Sequence, residues 1–401
     1  MKKVIYIFLL SLNFIYASPA NQPAQMVVMD YNWVEDDNAD DTVYHEVRET
    51  PILENESNNT FNRQEDTTTY IGESADLSQL RNSDQIKVAL LVPKKVIGAY
   101  ANSVANSIIA YLISKDTRFL FEVFDSGTQS PDDLNLAMQK IKHKGYQFVI
   151  AAVTADGAQS LAPLVSDTLV FIPTVHHEDV AIKNPNIIFG GIDYTAQIDA
   201  LLPYADDKIV IFNDHSRLAK KISAVIKDRR IEDVVYEKEI KNMKANISYI
   251  FKRNHKLKNA SVFLNMPVVK SALIATQFSR YEDNISKILS TQVNYSPLLL
   301  TLTQYQDRKN FFIANSISDM PFKIEDTNTL LGGEIKYNWI SYATTVGLDY
   351  VFCNYFGSKN IREFDEEVYD KQIYYKVSVM QAMRGSFKRT QIPINEEKPT
   401  W

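Results

Sequence analysis

The chain has 401 residues, 45% of them apolar and 11% aromatic, enough for two or three packed domains. Its single cysteine, Cys353, excludes an intrachain disulfide and a cysteine-based zinc site. The net charge of −6 is unevenly placed: residues 21–85 hold 15 acidic and 3 basic residues, whereas the part from Ile86 onward holds 34 and 38, with no basic patch interleaved with aromatics that would point to nucleic acid.

Lys2 and Lys3 precede an apolar run, Val4 to Tyr16, that is too short to span a bilayer stably. Ala17, Ser18 and Ala20 then supply the small residues of a cleavage site. Residues 1–20 read as a cleaved secretory signal, and no cysteine stands nearby to carry a lipid. No later segment has the length of continuous apolar sequence needed for a membrane span. The expectation is a mature protein without an integral membrane segment, in a bacterial periplasm.

Residues 21–85 form an acidic, polar segment with neither helical nor strand periodicity, and they read as a disordered linker. The exception is "MVVMDYNW", Met26 to Trp33, a short apolar and aromatic patch suited to docking on a partner. From Ile86 the character changes. "IKVALLVP" predicts a buried strand, and "AYANSVANSIIAYLISKD" a helix. "RFLFEVFDSG", "YQFVIAAV", "TLVFIPT" and "NIIFGG" read as strands, separated by the helices "PDDLNLAMQKIKHKG" and "AQSLAPLVSD". After the helix "DYTAQIDALLPYA" the same alternation restarts with "DKIVIFN", "SRLAKKISAVIKD", "IEDVVYEKEI", a helical stretch around 242–256, "ASVFLN" and "PVVKSALIATQFSR". "PLLLTL" and "FFIAN" read as further strands, "IKYNWISYATTVGLDYVFCNYF" as a long core helix, and "QIYYKVSVMQAMRGSFKRT" as strands turning at Arg384-Gly385. Strands alternating with helices imply parallel sheets covered on both faces. The fold class is α/β, with two doubly wound lobes at 86–205 and 206–390, and a short tail at 391–401.

Few residues carry chemistry. "IPTVHHEDV" sets His176, His177, Glu178 and Asp179 in a row. Adjacent histidines on an extended stretch point to opposite sides, and no further His or Cys pattern completes a metal set, so this reads as a polar loop. There is no GxSxG elbow, no Ser-x-x-Lys pair and no phosphate-cradling glycine loop, so neither an enzyme nor a cofactor is expected. Cys353 lies in an apolar run and reads as a core cysteine, and "REFDEEVYD" reads as an exposed acidic segment. Asn58 and Asn284 each fit Asn-x-Ser/Thr with an acidic residue two positions earlier, a pattern that resembles the acceptor of bacterial N-linked glycosylation.

The stretch Val149 to His177, "VIAAVTADGAQSLAPLVSDTLVFIPTVHH", resembles the leucine/isoleucine/valine-binding protein family, the type I periplasmic-binding fold. The matching positions are Thr154, Gly157, Ala162, Pro163, Pro173 and Thr174. "IIFGGIDYTAQIDAL" matches the segment in which a strand precedes an Asp and a Gln near the hinge, here Asp193 and Gln197. "KIVIFNDHSRLAKKI" resembles the opening of the second lobe. The resemblance covers about residues 86–390. It implies an inter-lobe cleft in which hydroxyls and N–H groups at the ends of strands hold a ligand carboxylate, here Asp125, Ser126, Thr154, Ala155, Thr174 and Asp193, with His176 adjoining. The same fold occurs in activators of peptidoglycan synthases.

Two departures weigh against a free amino-acid ligand. "PKKVIGAYAN" puts Lys94, Lys95, Val96 and Ile97 where the family has a small, glycine-rich loop. Val175, His176 and His177 follow Thr174 where small residues are expected. The reading is a non-catalytic periplasmic scaffold or adaptor with envelope protein partners, in a peptidoglycan-synthesis complex or a flagellar motor. The alternative is a receptor for a small polar or anionic solute.

Overall fold

The computed structural model describes residues 85–115, 118–240, 248–252, 254–280, 285–356 and 362–390. The signal, the acidic segment with its aromatic patch, Asn58, Asn284 and residues 391–401 lie outside the described residues.

Fourteen strands among these residues build two seven-stranded sheets. The first contains β1 (Ile86–Val92), β2 (Phe119–Asp125), β3 (Phe148–Ala151), β4 (Leu169–Ile172) and β5 (Ile187–Phe189). The second contains β6 (Ile209–Asn213), β7 (Val234–Glu239), β8 (Ser261–Asn265), β9 (Lys287–Ser290) and β10 (Phe311–Asn315). Both sets run in the same order, 2-1-3-4-5 and 7-6-8-9-10, with every pairing inside them parallel. The C-terminal strands are shared out. β11 (Glu367–Tyr369) and β12 (Gln372–Tyr374) extend the first sheet beside β5, and β13 (Ser378–Ala382) and β14 (Phe387–Arg389) extend the second beside β10. Residues 367–374 therefore complete the first lobe although they follow the second in sequence. A single boundary near residue 205 does not separate the lobes.

Eight helices of seven or more residues cover the sheets: α1 (Tyr100–Ser114), α2 (Pro131–His143), α3 (Ala155–Leu161), α4 (Tyr194–Leu201), α5 (Arg217–Arg230), α6 (Val268–Arg280), α7 (Phe322–Leu330) and α8 (Trp339–Tyr355). Strand periodicity decides which face each helix meets. In β1, Ala89 and Leu91 join Leu134, Met138 and Ile141 of α2 and Leu161 of α3. Val88, Leu90 and Val92 face the other way, toward Val104, Ile108 and Tyr111 of α1 and Val346 of α8. In β6, Ile209 and Ile211 meet Ile198 of α4 and Ile222 of α5, while Val210 and Phe212 share a cluster with Ala272 and Phe278 of α6.

One apolar cluster belongs to both lobes. It holds Val88 and Tyr111 of the first together with Phe212 and Phe278 of the second, and it includes Ile317, Ile324, Ile335 and Ile340 of the connecting chain. Tyr337, just before α8, puts its ring 5.3 Å from Tyr295 and 6.2 Å from Phe387, both on the second lobe. Burying a large apolar side chain is worth about 1.5–3 kcal/mol, so parting the lobes along this seam costs several kcal/mol.

Two predicted elements differ. "PLLLTL" is helical from Pro297 to Leu302, because Ser296 accepts from the Leu298 N–H and Pro297 stands at the first helical position with its φ preset. The strand at this place in the order is Lys287–Ser290 instead. The "REFDEEVYD" segment is not wholly a solvated face: Glu366 is buried and accepts from the Tyr342 hydroxyl, and Glu367–Tyr369 is β11. The long core helix forms as expected. It passes so close to β4 that a Cβ on Gly347 would lie 1.9 Å from the Phe171 ring. Gly347→Val is expected to destabilise the protein by about 3 kcal/mol through overpacking, read as a lower denaturant midpoint with unchanged slope.

Candidate functional site

The chain passes between the lobes three times: between Phe189 and Tyr194, between Asn315 and Phe322, and between Tyr374 and Ser378. Buried polar groups join these crossings at each end, in one set on the second lobe and another on the first. Gln197 of α4 accepts from the Gln292 N–H at 2.9 Å and donates to the Ser316 hydroxyl at 2.6 Å. Gln292 in turn accepts from the Ser316 N–H at 2.6 Å and donates to Asn315 at 3.1 Å. Asn315 closes the loop by bonding both the N–H and the carbonyl of Ile317. At the outer side, Gln372 donates to the Gly191 carbonyl and accepts from the His177 N–H, and the Tyr375 hydroxyl donates to the Gly190 carbonyl at 2.7 Å. Removing one member leaves its buried partners unsatisfied, at about 1–3 kcal/mol each.

The carboxyl ends of the first sheet's strands face this region, and every predicted ligand residue there with a polar side chain already has an internal partner. Thr154 ends the turn after β3 and caps α3, its hydroxyl accepting from the Gly157 N–H. The Gln129 side chain folds over it, accepting from the Thr154 N–H at 2.7 Å and donating to its hydroxyl at 2.9 Å. The N–H that, by the resemblance, would receive a carboxylate is thus taken by an amide of the same chain, which also lies against the hydroxyl oxygen. A Cβ on Gly157 would lie 2.2 Å from Gln129 Oε1, so glycine is what lets the amide lie this close. Ala155, half-buried, is the first residue of α3. The Thr174 hydroxyl donates to the Val153 carbonyl. Asp125 accepts from the N–H groups of Lys94 and Gly127, at 3.2 and 2.7 Å, and the Ser126 hydroxyl donates to the Thr128 carbonyl. Asp193 caps α4 through the N–H groups of Thr195 and Ala196. The loop expected to fill the cleft is a short helical turn, Lys94–Ile97, in which Ile97 is buried while both lysines are exposed.

The histidine pair departs from the expected geometry. The chain turns into a short 3-10 helix at His177–Asp179 rather than staying extended, so the two rings meet edge to face at 4.9 Å. The His176 ring is 3% exposed, its Nδ1 accepts from the Glu178 N–H at 3.3 Å, and its Nε2 is buried without a partner. Burial is the main reason its proton affinity falls below that of an ordinary histidine, and it outweighs the opposing pull of the Asp193 carboxylate. Among the described residues, no group of three or more His, Cys, Asp or Glu is placed to hold a metal ion, and no helix is long and apolar enough to cross a membrane. Two ion pairs join the lobes at the outer lip, Arg217 of α5 with Asp156 of α3 at 3.0 Å and Lys221 of α5 with Asp179. Both are exposed enough to contribute at most about 1 kcal/mol each.

Sequence reasoning placed Thr154, Thr174, Asp193 and Gln197 at the region where the lobes meet. It missed Gln129, Gln292 and Gln372. The available signal was a long amide or polar residue just beyond a strand end, in "DSGTQS" and "LSTQVN".

Two doubly wound sheets linked by three crossings, with the strand ends facing each other, define a type I periplasmic-binding-protein fold. Among solved structures the chain is similar to the branched-chain amino acid substrate-binding protein LivJ of Streptococcus pneumoniae in complex with isoleucine, at a TM-score of 0.57 and 10% identity over 76% of this chain and 100% of that one. It is similar to the leucine-binding protein LivK of Thermotoga maritima at 0.55 and 13%, over 76% and 98%. It is also similar to the C-domain of LpoA from Haemophilus influenzae, a regulator of PBP1A, at 0.50 and 11%, over 76% and 100%. No protein-family model and no curated protein sequence matches the chain.

If Thr154 is a cap rather than a ligand contact, Thr154→Ala lowers stability by about 1 kcal/mol. Thermal unfolding in the presence of branched-chain amino acids is then expected to show the same loss as unfolding without them.

Proposed function

We propose that this chain is a non-catalytic periplasmic scaffold or adaptor in a cell-envelope assembly. The observation that carries the reading is the Gln129 amide lying over Thr154, where it takes the N–H that would receive a carboxylate and donates to the hydroxyl oxygen. The shared apolar cluster supports it. A receptor working by hinge closure needs open and closed states within a few kcal/mol of each other, whereas parting this seam exposes Tyr295, Tyr337 and buried isoleucines together.

The apolar run after Lys2 and Lys3 supports export, and the likeness to the C-domain of LpoA supports the peptidoglycan-synthesis machinery as the partner class. The periplasmic part of a flagellar motor is a second assembly of the same kind. The competing reading, a solute receptor, draws on the likeness to LivJ and LivK. It requires a side chain to vacate the site.

Thermal unfolding against a panel of amino acids, short peptides and sugars separates the two. A ligand at 100 times its dissociation constant adds about 2.7 kcal/mol, which for a folded region this large is a shift of about 4 °C. The expected result is no shift with any solute, together with co-purification and crosslinking to an envelope synthase or motor component in cells. A shift with one solute class would establish the receptor instead.

A further inference from the structure

We propose that the outer edge of the first sheet is a pairing surface for a second copy of this chain. In that pair β2 runs antiparallel to its counterpart, and Phe121 of one copy lies opposite Phe121 of the other.

β2 ends the first sheet, and its one strand neighbour is β1. The Ile86 N–H donates to the Arg118 carbonyl and the Ser126 N–H to the Val92 carbonyl, each at 3.0 Å, so the even-numbered residues along β2 turn their backbone groups toward β1. Phe119, Phe121 and Val123 therefore direct N–H and C=O away from the sheet, and among the described residues no hydrogen bond reaches these groups. Such a row is a template for another strand unless it is short, charged or covered. The other sheet edges have that protection. β11 and β14 are three residues long, and β7 carries Glu237, Lys238 and Glu239. β2 has seven residues, and Phe119, Leu120, Phe121 and Val123 are only half-buried. Glu122, the one charge inside it, is turned to its own lobe: Lys144 holds one carboxylate oxygen and the Tyr146 hydroxyl donates to the other.

The strand is complementary to itself, which selects a second copy as the occupant. Opposite residues of antiparallel strands share a face, so a symmetric pair must be centred on a residue. Centred on Phe121, the two copies of that residue exchange both backbone bonds, and Phe119 does the same with Val123 of the second copy. Phe119, Phe121 and Val123 lie on the face that packs toward α1 and α8, so the side chains brought together there are aromatic and β-branched. On the α2 face Leu120 lies opposite Glu122 of the second copy. Arg118, which is exposed, stands one diagonal step from that same carboxylate, within reach of a long side chain, and symmetry makes this pairing twice. The neighbouring registers are worse. Centring on Glu122 sets the two carboxylates against each other, and centring on Leu120 leaves Val123 beyond the paired strand. The pairing is compatible with either a scaffold or a receptor, because β2 lies at the sheet edge and takes no part in the crossings.

One strand pair is a small interface, so association near the micromolar range is expected. Sedimentation of the full chain from about 1 to about 500 µM, bracketing that range, is expected to show a monomer–dimer equilibrium. Phe121→Pro removes an outward N–H and none of the bonds to β1, and is expected to leave only monomer. Arg118→Glu changes an exposed side chain and sets like charges together at both ends of the pair. It is expected to raise the dimer dissociation constant about tenfold, and it decides the matter if the proline variant does not fold. Val235→Lys, on the edge of the second sheet, is expected to change nothing. In a Cys353→Ser background, oxidation is expected to join Phe121→Cys to its copy, since facing Cα atoms about 5.5 Å apart are within disulfide reach, and to leave Val123→Cys unjoined. Monomer at every concentration, a dimer that persists unchanged in Phe121→Pro or Arg118→Glu, loss of the dimer in Val235→Lys, or crosslinking at 123 in place of 121 would each overturn the proposal.

Discussion

The place where the chain enters and leaves the second lobe depends on a handful of buried amides. Gln197, Gln292 and Asn315 satisfy one another and the backbone of the second crossing, in a place where no water need enter. Amides suit this role because each presents a donor and an acceptor in a fixed plane, so a ring of them is closed only in one arrangement. Apolar contacts alone hold surfaces together without specifying their angle. The network fixes how the helix after the first crossing and the second crossing meet the strand ends of the second lobe, and the isoleucines and tyrosines of the shared cluster supply the cohesion between lobes.

This division suits the scaffold reading proposed above, in which the lobes stay together. Gln129, a side chain of the loop after β2, lies over the Thr154 N–H and hydroxyl oxygen at the end of β3. The two ion pairs across the outer lip are too exposed to fix the lobes by themselves.

Much of the fold was legible in the sequence. Short continuous apolar runs between turn residues marked β1, β3, β4, β6, β8 and β10, and the length of the apolar stretch ending in Phe356 marked α8. Pro297 was misread because an apolar run of six residues carries no period, and only the Ser-Pro cap distinguishes helix from strand there. The return of β11 and β12 to the first sheet was not legible, since nothing local in "EVYDKQIYY" states which sheet edge it will find. The site was half visible. Thr154, Thr174, Asp193 and Gln197 come from strand-end positions that a pattern can locate, whereas Gln129 and Gln292 act through the direction of a long side chain. The histidine rings were misjudged for a related reason, because adjacent residues diverge only while the backbone stays extended.

The sharing of the last strands between both sheets bears on when this chain can fold. β5 gains its outer neighbour, and β10 its antiparallel partner, only from residues 372–382. Neither sheet is complete until almost the whole described chain is available, and the contacts that finish the first one join residues separated by more than 180 positions, as in the bond from Gln372 to Gly191. Closing loops of that size is slow. A partly synthesised chain therefore lacks the outer strands of both sheets until its last described residues are made.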